Sequence, residues 1–121
     1  MRPGGIPSVD AAEAARLLGD GEDAAPVLLD VRERDEWLDA RAPDAVLVPM
    51  SVIQARVGEL PDRPLLVICH SGNRSLAVTN WLRGLGRDAT NVAGGMIAWS
   101  RAGLPVRSGA PEAGEGELPT G

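Results

Sequence analysis

With 121 residues the chain has room for one hydrophobic core, because a second independent core needs more residues than remain. Hydrophobic residues make up 44% and charged residues 24%, a globular balance that excludes wholesale disorder and fibrous repeats. The net charge is -5, lysine is absent and the arginines are scattered, which argues against a nucleic-acid surface.

No run approaches the roughly 20 apolar residues of a membrane span. The opening Met1-Arg2-Pro3-Gly4-Gly5 is followed by no long apolar segment, so no signal peptide is expected. A single cysteine cannot close an internal disulfide, which fits a reducing, cytoplasmic setting and leaves Cys69 free for chemistry. No metal site is expected, since one Cys beside one His falls short of the usual three or four ligands. With three tryptophans and no Phe or Tyr, the core must be filled by Val, Leu, Ile and Ala, which suits a parallel sheet under helices.

In chain order, residues 8–18 read as a helix, capped by Asp10 and stopped by Gly19, with Ala11, Ala14, Ala15 and Leu18 at helical spacing. A polar loop over the 20s leads to Val27-Leu28-Leu29-Asp30-Val31, a buried strand, and residues 33–39 form a short charged helix ending before Pro43. Val46-Leu47-Val48 is a second strand. Residues 51–60 follow as a helix with Val52, Ile53, Val57 and Leu60 inward. Leu65-Leu66-Val67-Ile68 is the most apolar strand, and residues 75–85 form a helix with Val78, Trp81, Leu82 and Leu85 on one stripe. A last strand covers 89–92, then Gly94-Gly95 turns into a helix carrying Met96, Ile97 and Trp99.

Strands alternating with helices predict an α/β sandwich with a mainly parallel sheet and a site at the carboxyl ends of the strands. Residues 1–107 are expected to form the domain. The Gly-, Pro- and Glu-rich residues 108–121 are expected to be a disordered tail.

Cys69 stands where the most apolar strand runs into a small polar loop that opens a helix. Backbone N–H groups at such a junction converge on the sulfur, and they and the helix dipole favour a thiolate, so its pKa is expected below the ~8.5 of a free thiol. Gly72 lets the backbone curl, and Arg74 can add positive charge or brace the loop through its carbonyls.

At this point the sequence resembles the rhodanese family. Cys69-His70-Ser71-Gly72-Asn73-Arg74-Ser75 resembles its active-site loop. Leu28-Leu29-Asp30-Val31-Arg32-Glu33 with Glu36-Trp37 resembles its strand-to-helix motif, and Gly94-Gly95 with Trp99 its final segment. The resemblance spans roughly residues 8–107 in family order. It implies a three-layer sandwich, with helices on both faces of a small central sheet, and a thiosulfate:cyanide-type sulfurtransferase working through a persulfide on Cys69 without a cofactor. It also implies backbone N–H groups from His70 through Ser71, Gly72 and Asn73 to Arg74 around the persulfide, with the His70 and Ser71 side chains facing substrate. Asp30, Arg32 and Ser75 would be supporting residues. The implied partners are a small sulfur donor and a thiol or cyanide acceptor, with a sulfur-relay protein as a further candidate.

The chain departs from the family in two places. Ala40-Arg41-Ala42-Pro43-Asp44-Ala45 stands where Gly-His-Ile-Pro-Gly-Ala is common. The two positions after Cys69 also lack the cationic pair of some thiosulfate-using members, which weighs against thiosulfate as the natural donor.

Plainer readings stand beside these. A solitary cysteine can be a small buried hydrophobe, His70 can gate the pocket or transfer protons, and Asp30 with Arg32 can be a structural ion pair or a substrate contact. Trp37, Trp81 and Trp99 read as packing. Two other functional classes remain, a non-catalytic binding module and a cysteine phosphatase. The phosphatase needs a longer loop than the four residues separating Cys69 from Arg74.

Overall fold

The computed structural model describes residues 5–19 and 25–119; the polar loop expected over the 20s lies largely outside them. Along the chain run β1 (Ser8–Val9), α1 (Ala11–Leu18), β2 (Val27–Asp30), α2 (Arg34–Asp39), β3 (Val46–Leu47) and α3 (Ile53–Arg56) with a 3-10 turn at Val57–Glu59. Then follow β4 (Leu65–Ile68), α4 (Asn73–Gly84), β5 (Ala89–Val92) and α5 (Gly95–Arg101). The strands form one five-stranded sheet in the order β1-β5-β4-β2-β3, and every pairing is parallel.

Strand alternation divides the core. Leu29, Val31, Val67 and Cys69 face Ile53 of α3 and Val78 and Leu82 of α4, while Leu28, Leu66 and Ile68 face Ala11 and Ala14 of α1 and Met96 and Trp99 of α5. Both faces are covered, so β2 and β4 read as continuous apolar runs rather than alternating ones. The central strand β4 lies between β2 and β5, so Cys69 emerges in the middle of the sheet. None of the helices among the described residues is long and apolar enough to cross a membrane.

Some expectations shift. The first helix is shorter than expected: Ser8 and Val9 are extended and pair with Asn91 and Val92, and the helix begins only after Asp10, whose carboxylate accepts from Glu13 N at 2.8 Å. Two residues are too few to show alternation. The expected helix over 51–60 is broken into α3 and the 3-10 turn, and Val52, expected inward, is exposed, as is Leu85 at the end of α4.

Residues 108–119, expected to be disordered, lie against the domain through turns. Glu115 pairs with the buried Arg41, Gly116 O accepts from Leu47 N on the edge strand, Gly109 N donates to Leu38 O, and Leu118 packs on the core. Composition gives no sign of this docking: buried Arg41 requires an acceptor, and Glu115 supplies it.

Asp44 has φ +68, the left-handed region, at the place where the family pattern has glycine. Aspartate is among the few side chains that tolerate this conformation, so the turn into β3 survives the substitution. At the histidine place, Arg41 is 1% exposed and lies 4.3 Å over the Trp37 ring.

Candidate active site

β4 ends at Ile68, and the chain curls through the next four residues into α4. Gly72 has φ +102, and a Cβ there would come within 3.1 Å of Gly94 N. Glycine therefore serves both the turn and the close approach of the Gly94-Gly95 segment. The curl brings Gly72 N to 3.1 Å and Ser75 N to 3.3 Å from Cys69 Sγ, with Ser75 Oγ at 3.2 Å. Cys69 is 1% exposed, so these contacts act away from competing water. Two backbone donors at the start of a twelve-residue helix make a pocket suited to a negatively charged sulfur.

The loop is held from behind by α5. Met96 N donates to Cys69 O at 2.8 Å and Ile97 N to His70 O at 3.1 Å. The helix start thus takes up the carbonyls while the other side of the loop turns its N–H groups to the sulfur. The glycine pair, expected simply to make a turn, is what allows this approach.

Of the expected site residues, Cys69, Gly72 and Ser75 meet at the sulfur. The side chains of His70, Ser71 and Asn73 are exposed at the loop surface and make no hydrogen bond with the described residues. Arg74 does not brace the loop through its carbonyls. Its guanidinium forms two 2.7 Å bonds to the carboxylate of Glu36 on α2. Those bonds hold the Glu36 carboxyl down to about 2, and the same pairing raises Arg74. The cation is therefore matched by a carboxylate beside the loop.

Asp30 and Arg32 form a buried bidentate pair at the end of β2, with Nε–Oδ1 3.0 Å and NH2–Oδ2 2.8 Å. Arg32 also donates to Glu36 O and Ala40 O, tying the middle and the end of α2 to the sheet. The pair thereby links β2 to α2. A hollow of about 510 Å³ adjoins it, with Arg32, Glu36, His70, Met96, Ile97 and Arg101 among its walls. A larger one, about 740 Å³, lies under residues 111–119 and takes no wall from the Cys69 loop.

Asn91 was not among the expected site residues. It is 4% exposed on β5 and 2.6 Å from Ser75 Oγ. A lone amide within the expected strand 89–92 was its only sequence signal. Glu36 belongs to the strand-to-helix motif, but its link to Arg74 spans 38 positions and leaves no local trace in the sequence.

The rhodanese-like domain family matches residues 10–102. A sulfurtransferase of Allochromatium vinosum is 38% identical over 104 residues, covering 84% of this chain and 94% of that protein. Among solved structures, a rhodanese-related protein of Thermoplasma volcanium superposes with a TM-score of 0.77 at 31% identity, over 84% of this chain and 98% of that one. A rhodanese-like domain protein of Staphylococcus aureus gives 0.70 at 28% identity, over 95% of this chain and all 100% of that one. On sequence and fold together, the chain belongs to the rhodanese-like domain family.

Proposed function

We propose that the protein is a sulfurtransferase that carries sulfane sulfur on Cys69. The thiolate attacks the sulfane sulfur of a donor. An S–S bond forms to Cys69 Sγ, and the electron pair of the broken bond leaves with the donor remainder, sulfite if the donor is thiosulfate. A thiophilic acceptor then attacks the outer sulfur of the persulfide, the new S–S bond breaks, and Cys69 regains its thiolate. Donor and acceptor react in separate half-reactions, which is the kinetic form of covalent catalysis.

The observation that carries this reading is the sulfur pocket: Cys69 Sγ within 3.1 Å and 3.3 Å of the Gly72 and Ser75 N–H groups at the start of α4. A second observation favours sulfur over a phosphate ester. Arg74, the cation a phosphate would need, is paired with Glu36, and the loop has four residues between Cys69 and Arg74. The hollow beside His70 leaves room for an acceptor larger than cyanide.

The test is steady-state transfer to cyanide, read as thiocyanate, with thiosulfate and 3-mercaptopyruvate as parallel donors. The reading expects parallel double-reciprocal lines with at least one donor and no activity in Cys69→Ala. Thiocyanate formation that survives Cys69→Ala would contradict it, and so would hydrolysis of an aryl phosphate in place of sulfur transfer.

A further inference from the structure

Behind Cys69 a line of hydrogen-bonding groups runs through the interior to the edge of the sheet. Cys69 Sγ is 3.2 Å from Ser75 Oγ, Ser75 Oγ is 2.6 Å from Asn91 Oδ1, and Asn91 Nδ2 is 3.4 Å from Ser8 Oγ. Ser75 is 0% and Asn91 4% exposed, so they depend on each other for hydrogen bonding, whereas Ser8 sits exposed on the edge strand β1.

The Ser75 hydroxyl has one proton and two neighbours that can accept it. While the sulfur is a thiol, every bond runs one way. The S–H donates to Ser75 Oγ, the hydroxyl donates to Asn91 Oδ1, and the amide N–H donates to Ser8 Oγ. A thiolate has no proton to give, so the hydroxyl must turn and donate to it. That leaves Ser75 Oγ and Asn91 Oδ1 as two acceptors 2.6 Å apart, which is repulsive. A half-turn of the Asn91 amide removes the conflict: Nδ2 then donates to Ser75 Oγ, and Oδ1 accepts from the Ser8 hydroxyl.

We infer that Asn91 is a reversible positioning residue for the Cys69 nucleophile, its amide turning over as the sulfur passes between thiol and thiolate so that Ser75 satisfies both forms. No proton travels along this line, because a neutral amide does not relay one; the thiol proton leaves to a solvent base. The inference rests on the reading of Cys69 as a nucleophile and adds a residue outside its loop.

The test is the rate of alkylation of Cys69 by iodoacetamide near neutral pH, followed by intact mass on the only cysteine in the chain. It needs no sulfur donor, so its outcome is separate from that of the sulfur-transfer reading. Asn91→Asp keeps the shape but only accepts, which holds the Ser75 proton away from sulfur, and roughly tenfold slower alkylation is expected. Asn91→Leu removes the competing acceptor and is expected to alkylate at the wild-type rate or faster. In a Ser75→Ala background the two variants should differ little. A tenfold gap that persists without the serine hydroxyl would mean that the new charge acts directly on the sulfur, and would overturn the inference. Slowing by Asn91→Leu equal to that by Asn91→Asp would reduce Asn91 to packing and overturn it as well. Thermal melts establish that each variant is folded. If Asn91→Asp is not, slow alkylation in folded Asn91→Leu is by itself sufficient to contradict the inference.

Discussion

Gly95 lies so close to Cys69 that a Cβ added to it would stand 2.4 Å from the Cys69 carbonyl oxygen. It also has φ +56, so a side chain would meet both a clash and a strained backbone. The oxygen belongs to the peptide that Met96 N holds, and the loop cannot retreat without losing that bond. Gly95→Ala is therefore expected to destabilise the fold by on the order of 3 kcal/mol and to abolish sulfur loading by shifting the Cys69 loop. Chemical denaturation and a sulfur-loading assay on the folded fraction check the two effects.

Asp30 and Arg32 make a second prediction. The Asp30 carboxylate is 0% exposed and relies on the Arg32 guanidinium, so Arg32→Met strands a buried charge. A loss of about 3–5 kcal/mol is expected. Replacing both, as Asp30→Asn with Arg32→Met, should recover part of it, because the uncompensated charge is then gone. A double-mutant cycle by urea unfolding measures that recovery.

The bond between Arg74 and Glu36 gives stability a pH dependence of known sign. Glu36 falls from 4.5 to about 2 in the fold, chiefly through the Arg74 hydrogen bonds. A carboxyl with a depressed folded value contributes fully above its unfolded value and loses that contribution as pH falls toward the folded one. Glu36→Gln should therefore lower stability at pH 7, by about 1 kcal/mol once solvent screening of this part-exposed pair is allowed for. The deficit relative to wild type should shrink between pH 4.5 and about 2, the interval the two values define. Melts across that range check the sign.

Removal of residues 108–121 should leave sulfur loading intact, because among the described residues the hydrogen bonds of 108–119 to the domain go to Leu38, Arg41, Leu47 and Arg107, away from the Cys69 loop. It should lower the melting temperature and increase solvent quenching of tryptophan. The ring of Trp37 loses the cover of Gly116, buried Arg41 loses the Glu115 carboxylate, and the edge strand β3 loses its bond to Gly116 O. A truncated chain that melts like the full one would show that the tail's docking contributes no stability.

What the sequence revealed follows from which interactions are local. β2 and β4 were legible because Leu28, Leu29 and Leu65 through Ile68 are buried on both faces and leave unbroken apolar runs. The Cys69 stretch stood out because a strand end, a small polar loop and a helix start fall within a few residues. β1 was hidden because Ser8 and Val9 become a strand only by pairing with β5. The pairings of Asn91, Glu36 and Glu115 are hidden for a related reason: they span 16, 38 and 74 positions, and a polar residue in a strand, helix or tail looks solvated until the fold closes.

The most direct test of the account is the intact mass of the protein and of Cys69→Ser after incubation with a sulfur donor, and again after an acceptor thiol or cyanide. The account predicts a gain of one sulfur that requires Cys69 and disappears with the acceptor. A wild-type mass unchanged by thiosulfate, by 3-mercaptopyruvate and by a low-molecular-weight persulfide would contradict it.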